Sequence, residues 1–278
     1  MDLYVSDLDG TLLNENQEIS DETAEIINGL IEAGLHFTIA TARSIVSATP
    51  IIAKLNLTLP LTVNNGVFVY DPIQQENILS NFIPNEVARR VSEEFEEYGV
   101  SPQIFSFDET NGYQIHYQGI FHPGEDYYIS GRLSRGDQRF VLCNDFKNCL
   151  NRQIITFVAI NDREKLEPLY HLFQNNYDLV CHFGEDIYSK AYWLEVTVKN
   201  ANKQGALRFL RKYLGAKQVI CFGDGLNDLS MFEIADECYA VQNAHPDVKK
   251  AAAAIIGANT KDGVARFLEG RLKLEESG

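Results

Sequence analysis

Two aspartates stand two residues apart in Val5-Ser6-Asp7-Leu8-Asp9-Gly10-Thr11, directly after an apolar run and directly before a glycine. On an extended segment residues i and i+2 project to the same side, so the spacing predicts that Asp7 and Asp9 converge on one small volume. Like charges that close repel unless a cation lies between them, or unless one is a nucleophile and the other carries a proton. The alternative is a hairpin turn at Asp9-Gly10 with both acids solvated. A calcium loop is excluded by the residues themselves. With Asp7 opening the loop, Glu18 would close it, but Leu12 then falls where such a loop needs glycine.

Further along, Gly223-Asp224-Gly225-Leu226-Asn227-Asp228 gathers two carboxylates and an amide at the end of the apolar run Val219-Ile220-Cys221-Phe222. Read locally, this is a Gly-Asp-Gly turn followed by an Asn or Asp helix cap. Lys203 falls in the first turn of a helix predicted to continue through Phe209 and Leu210. A cation there opposes the helix dipole by only ~0.3–1 kcal/mol, so a solvated lysine is one reading. The other is a paired anion site made by the lysine and the helix N-terminus. Together these segments offer an acidic pole for a hard cation and a basic pole for an anion.

The elements that must position these groups follow a pattern. Leu3 to Val5 leads to Asp7, Phe37 to Ala40 leads to Thr41 and Arg43, Leu61 to Val63 leads to Asn64-Asn65-Gly66, and Val219 to Phe222 leads to Gly223-Asp224. Four buried strands that each deliver polar residues at their C-terminal ends are how an open parallel α/β sheet builds a site. Ser20 caps a predicted helix whose stripe is Ala24, Ile27, Leu30 and Ile31 and whose stop is Gly34, giving a βαβ unit.

The middle of the chain changes character. A charged helix over 85–98 is followed by short alternating runs over 103–107, 113–117 and 139–143. Then come a strand over 153–160, a helix over 163–174 and strands over 179–183 and 193–198. This order predicts an α+β module with an antiparallel sheet, inserted over 83–186 into a Rossmann-like parallel sheet core formed by 1–82 and 187–278.

Composition narrows the function classes. The formal charge is −15 over 278 residues and the pI is near 4.8, which argues against nucleic acid, since phosphate backbones demand a cationic face. Five scattered cysteines without C-x-x-C pairing suggest reduced thiols and a cytoplasmic setting. No apolar run approaches the ~18 residues of a membrane span, and no signal peptide is expected.

The residues as they stand resemble a known family. Asp7-Leu8-Asp9-Gly10-Thr11, Thr41, Lys203 and Gly223-Asp224-Gly225-Leu226-Asn227-Asp228 are similar to the four ordered motifs of the haloacid dehalogenase superfamily. Its Cof-type phosphatases are closest, through Asn64-Asn65-Gly66, Asn243-Ala244-His245-Pro246-Asp247-Val248-Lys249 and Asp262-Gly263-Val264. The resemblance runs from end to end, and the family's large cap domain matches the predicted insert. Two departures stand out. Thr41-Ala42-Arg43 has alanine where relatives have glycine, and Gln242 also replaces a common glycine.

The resemblance implies a phosphatase of small phosphate monoesters, sugar phosphates or similar metabolites, with Mg²⁺ as cofactor. Asp7 would be the nucleophile and form an aspartyl-phosphate. Asp9 would protonate the leaving oxygen and then activate water. The ion would be held by Asp7, the backbone carbonyl of Asp9 and Asp224. Phosphate oxygens would meet Lys203, the Thr41 hydroxyl, the backbone amides of Leu8 and Ala42, and the Asn227 amide. Thr11 would orient Asp9, Asp228 would fix Lys203 or a magnesium-bound water, and Arg43 would either form a structural ion pair or contact phosphate. Cap closure would exclude water and select the leaving group.

Other residues fit bland roles. His116, His122 and His182 lack metal-like spacing, and Tyr127-Tyr128 with Arg132 and Arg135 reads as a solvated loop. Besides the phosphatase, a phosphomutase-like transferase and a non-catalytic phosphometabolite-binding protein fit the same fold. Loss of Asp7 or Asp9 would have favoured the last, and both are present.

Overall fold

The computed structural model describes residues 1–108, 112–186 and 189–275. The chain opens with β1 (Asp2–Ser6), α1 (Asp21–Glu32), β2 (His36–Ile39), α2 (Ile45–Ile52), β3 (Leu61–Val63), β4 (Phe68–Asp71) and β5 (Glu76–Ser80). Next come α3 (Asn85–Glu97), β6 (Gln103–Asp108), β7 (Gly112–Tyr117), α4 (Pro123–Leu133), β8 (Phe140–Leu142), β9 (Gln153–Asn161), α5 (Arg163–Asn176), β10 (Leu179–Glu185) and β11 (Tyr192–Val198). The last part holds α6 (Lys203–Leu214), β12 (Gln218–Gly223), α7 (Leu229–Phe232), β13 (Glu237–Val241), α8 (Pro246–Ala251), β14 (Ala254–Ile256) and α9 (Gly263–Glu275). Two units result: Met1–Ser80 with Asn200–Gly278, and Asn81–Lys199. No helix among the described residues is long and apolar enough to cross a membrane.

The first unit carries a five-stranded parallel sheet in the order β14-β13-β12-β1-β2. Leu3, Val5, Val219, Ile220, Cys221 and Phe222 are wholly buried, as expected of central strands covered on both faces. Register decides where the strands end. Ser6 pairs with Phe222 on one side and Ile39 on the other, so the chain leaves β1, β2 and β12 at the same edge. Helices begin and stop as their sequences dictate. The Ser20 side chain accepts from the Thr23 amide to start α1, and Gly215, at φ +65°, closes α6 in the left-handed conformation.

Three of the four expected strands enter this ladder, but β3 does not. After a single parallel bridge from Ala40 to Thr62, the chain turns back at Asn64-Asn65-Gly66, and β3, β4 and β5 form a separate antiparallel sheet. Left-handed backbone at those three residues makes the reversal.

The second unit is built on a six-stranded sheet in the order β10-β11-β9-β6-β7-β8. It is antiparallel except for β7 and β8, which run parallel, so the sheet is mixed. One core gathers Val91 and Phe95 of α3, Leu166, Leu169 and Phe173 of α5, and Phe157 and Leu194 of the sheet. The expected boundary at 186/187 is wrong at this end. The strand over 192–198 does not return to the parallel core but pairs with both β9 and β10, which carries the unit to Lys199.

The stretch read as a solvated loop around Tyr127-Tyr128 is α4 instead. Pro123 fits the first helical position, the His122 side chain accepts from the Gly124 amide, and Glu125 accepts from the Phe121 and His122 amides. Tyr128 then packs edge-on to Trp193, with ring centroids 4.9 Å apart.

His116 is 7% exposed and its Nε2 lies 3.0 Å from the Ser106 hydroxyl. Burial, reinforced by Arg152, pushes its pKa from 6.5 down to about 4. Between those values the unfolded chain binds a proton that the folded chain refuses, so this contribution is full above pH 6.5 and is lost as pH falls toward 4. The stability difference between wild type and His116→Gln should therefore shift against wild type on acidification through that window, as read from unfolding midpoints.

Candidate active site

The shared strand edge of the first unit assembles a cluster of charge. The Asp7 amide donates to the Phe222 carbonyl at 3.0 Å and Ala40 donates to Ser6 at 2.9 Å, locking the ends of β1, β2 and β12 together. Asp7 is only 5% exposed. Lys203, 1% exposed, donates from Nζ to Asp7 Oδ1 at 2.5 Å and to Asp228 Oδ1 at 2.6 Å. It sits in the first turn of α6, whose cap is the Asn202 side chain accepting from the Gly205 amide at 2.7 Å.

The loop after β12 is held by Asp228. Its Oδ2 accepts from the backbone amides of Asp224 and Gly225, each at 2.9 Å. Both Asp228 oxygens are thereby engaged, one by lysine and one by the loop. Asp224 accepts from the Thr11 hydroxyl at 2.7 Å, and its carbonyl accepts from the His245 amide at 2.8 Å. Oxygens of Asp7, Asp224 and Asp228 lie within 4.8 Å of one another.

Charge balance is the physical problem of this cluster. Three carboxylates face a single ammonium in a buried place. Burial pushes the Asp7 carboxyl up to about 8, with Asp228 and Asp224 adding to it against the pull of Lys203. Burial and Asp228 likewise raise Asp224 to about 6, while the Thr11 hydrogen bond and Lys203 oppose them. Burial opposes the charge of Lys203 as well, but Asp7 and Asp228 more than restore it and hold its pKa above the usual lysine range. The excess negative charge and the all-oxygen donor set suit a hard divalent cation. Asp7 and Asp224 can offer oxygens to it, whereas those of Asp228 are taken.

Asp9 does not join Asp7, contrary to the reading from spacing. β1 ends at Ser6, and over Leu8–Leu12 the chain makes a kinked turn with Gly10 at φ +78°. The i, i+2 rule for extended chain therefore no longer applies. A Cβ on Gly10 would stand 2.3 Å from Asp224 Oδ2, so glycine is required here for space as well as for conformation. The Asp9 side chain is 46% exposed and is gripped by Arg43, with Nε to Oδ2 at 2.7 Å and Nη2 to Oδ1 at 2.5 Å. Arg43 is thus an ion-pair partner, and its Nη2 also donates to Gln17 at 2.9 Å. Thr11 bonds Asp224 and not Asp9, because the same turn aims its hydroxyl across to β12.

The remaining expected residues line the same edge. Thr41 is wholly buried, its amide donates to Thr62 at 2.9 Å, and its hydroxyl accepts from the Arg43 amide at 3.1 Å. Leu8 is wholly buried, while Ala42 is exposed with negative φ, so its methyl group needs no special room. Gln242 is also exposed. Asn227 Nδ2 donates to Asn65 Oδ1 at 3.2 Å. Residues without an expected role support the turn after β1: Asn243 donates to the Gly10 carbonyl at 2.7 Å and Asn259 to the Leu13 carbonyl at 2.8 Å. Asn243 lies in one of the segments that carried the family resemblance, which was the only signal for it.

Comparison with known proteins gives a consistent picture. A family model described as haloacid dehalogenase-like hydrolase matches residues 4–268. The 5-amino-6-(5-phospho-D-ribitylamino)uracil phosphatase of Bacillus subtilis is 28% identical, with 96% of each chain covered. The HMP-PP phosphatase of Serratia proteamaculans is 28% identical over 96% of this chain and 94% of its own. A crystal structure from Thermotoga maritima, 28% identical, superposes with a TM-score of 0.78 over 96% of each chain.

Removing Lys203 strands two buried carboxylates. Lys203→Met should cost about 3–5 kcal/mol in chemical denaturation, and adding Asp228→Asn should recover part of that loss.

Proposed function

Because the chain belongs to the haloacid dehalogenase-like hydrolases, we propose that it is a Mg²⁺-dependent phosphatase of small phosphate monoesters acting through a phosphorylated Asp7. The observation that carries this reading is the Asp7 carboxylate. One oxygen is fixed by Lys203 at 2.5 Å, and the residue is buried beside Asp224 in a pocket of uncompensated negative charge. Names of relatives support the reaction class, since both the Bacillus and the Serratia proteins are called phosphatases. The substrate in the Bacillus protein's name is itself a small phosphate monoester, which supports sugar phosphates or similar metabolites as the class here. All five cysteines are free, in keeping with a reducing, cytoplasmic setting.

Asp7 and Asp224 side chains, with the Asp9 backbone carbonyl, would hold the magnesium ion. When bound, it supplies charge neutralisation between the Asp7 carboxylate and the phosphate dianion. Lys203 fixes Oδ1 of Asp7, leaving Oδ2 as the attacking oxygen. Asp7 Oδ2 forms a bond to phosphorus, the bond from phosphorus to the ester oxygen breaks, and that oxygen takes the proton of Asp9. Asp9 then removes a proton from water as the water oxygen attacks phosphorus, releasing inorganic phosphate and restoring the Asp7 carboxylate. Lys203, the Thr41 hydroxyl, the Leu8 and Ala42 amides and the Asn227 amide neutralise the equatorial oxygens. Asp228 acts through Lys203 and the Asp224 loop. For Asp9 to carry a proton its carboxylate must leave the Arg43 fork, which makes that ion pair a resting arrangement.

Incubation with p-nitrophenyl phosphate and Mg²⁺ should release inorganic phosphate into water, chelation should stop it, and restored Mg²⁺ should revive it. Asp7→Asn should abolish release; equal release by that variant would sink the reading. Asp9→Asn should bind Mg²⁺ as wild type does in calorimetry and lose turnover, and a lost metal site would count against its assigned role.

A further inference from the structure

The turn after β3 is unusual in its backbone. Asn64, Asn65 and Gly66 follow one another at φ +51°, +52° and +97°. Asparagine tolerates the left-handed region better than most residues, yet two in succession carry a conformational penalty that something else must offset. The turn is tied to the segment after β2 and to the start of α6. The Asn64 amide donates to the Arg43 carbonyl at 2.9 Å and the Asn65 amide to the Thr41 carbonyl at 3.0 Å. Gly66 lies so close to the residue capping α6 that a Cβ would fall 2.1 Å from the Asn202 carbonyl oxygen. Lys203 follows directly.

The side chain of Asn65 adds a contact with a chemical consequence. Its Oδ1 accepts from Asn227 Nδ2 at 3.2 Å. A carboxamide has an accepting end and a donating end of nearly the same shape, and only the donating end can bind a phosphoryl oxygen. A carbonyl oxygen can only accept, so with Asn65 Oδ1 facing it Asn227 takes the rotation that turns Nδ2 toward this contact. One N–H is used there and the second remains for an anion. The Asn227 Oδ1 lies over Gly225, 2.6 Å from where a Cβ on that residue would stand, so glycine leaves room for the same rotation.

We propose that Asn65 is a positioning residue for phosphate recognition, holding the Asn227 amide so that it presents an N–H to the phosphoryl group. This rests on the reading of Asn227 as a phosphate ligand and goes beyond it. Asn65→Gly keeps the left-handed backbone at no steric cost and removes the carboxamide whose oxygen faces Asn227.

The experiment is a double-mutant cycle on kcat/KM for p-nitrophenyl phosphate with Mg²⁺, using wild type, Asn65→Gly, Asn227→Ala and the pair. Asn65→Gly should lower kcat/KM about ten- to a hundredfold, as loss of a supporting partner does. In the Asn227→Ala background it should cause no further loss, because it acts only through that amide. A merely structural role would repeat its full loss in that background, and this result overturns the proposal, as does wild-type kcat/KM in Asn65→Gly. Full activity of Asn227→Ala would overturn the ligand reading and this inference with it. A wild type that releases no phosphate would instead overturn the phosphatase reading.

Discussion

The ammonium of Lys203, buried between Asp7 and Asp228, is the interaction on which the rest of the site depends. A lone buried carboxylate would be driven to protonate, and a lone buried lysine to discharge. Joined at 2.5 and 2.6 Å, the two carboxylates hold the ammonium charged, and the ammonium draws the Asp7 carboxyl back toward ionisation against its burial. The contact also spans the chain. Asp7 leaves β1, Lys203 opens α6, and Asp228 follows β12, so one cation pins three segments that meet only in the folded state. Because Asp228 uses its second oxygen on the amides of Asp224 and Gly225, the lysine's position and the shape of the acidic loop are set together.

Burial of charge here favours reactivity over stability. Hydrophobic groups of similar size would fill the space as well, and buried ion pairs rarely outperform them. What they could not supply is a carboxylate with one oxygen fixed and the other free beside Asp224. The cluster is left with more negative charge than its lysine can balance, and this imbalance is what makes a cation welcome.

Legibility of this arrangement from the sequence varied with the physics. The strands β1, β2 and β12 could be read because their buried runs are almost wholly apolar, interrupted in β2 by Thr38 alone, as fully buried parallel strands require. β13 and β14 could not, since Glu237-Cys238-Tyr239 mixes polarity and Ala254–Ile256 is only three residues long. α4 was hidden by Pro123-Gly124, which looks like a loop until His122 and Glu125 are recognised as its capping pair. Lys203, Asp224 and Asp228 were legible as chemistry at strand and helix ends. Asp9 was misjudged because the direction of a side chain beyond a strand depends on the next dihedral angles, and Gly10 at φ +78° redirected it.

The register of the parallel sheet sets an order on the birth of the molecule. β1 is synthesised first, yet it lies between β2 and β12, and Tyr4 finds its partner Ile220 only after the whole second unit has emerged. That second unit is one continuous stretch with its own core, able to complete itself while β1 still waits. Closing the central sheet is then a late, long-range event, slow because the chain between must first be gathered in. A nascent chain that stops short of Asp228 holds Asp7 and Lys203 without the carboxylate that shares the ammonium and shapes the Asp224 loop, so the charged cluster is complete only once β12 and the turn after it have emerged.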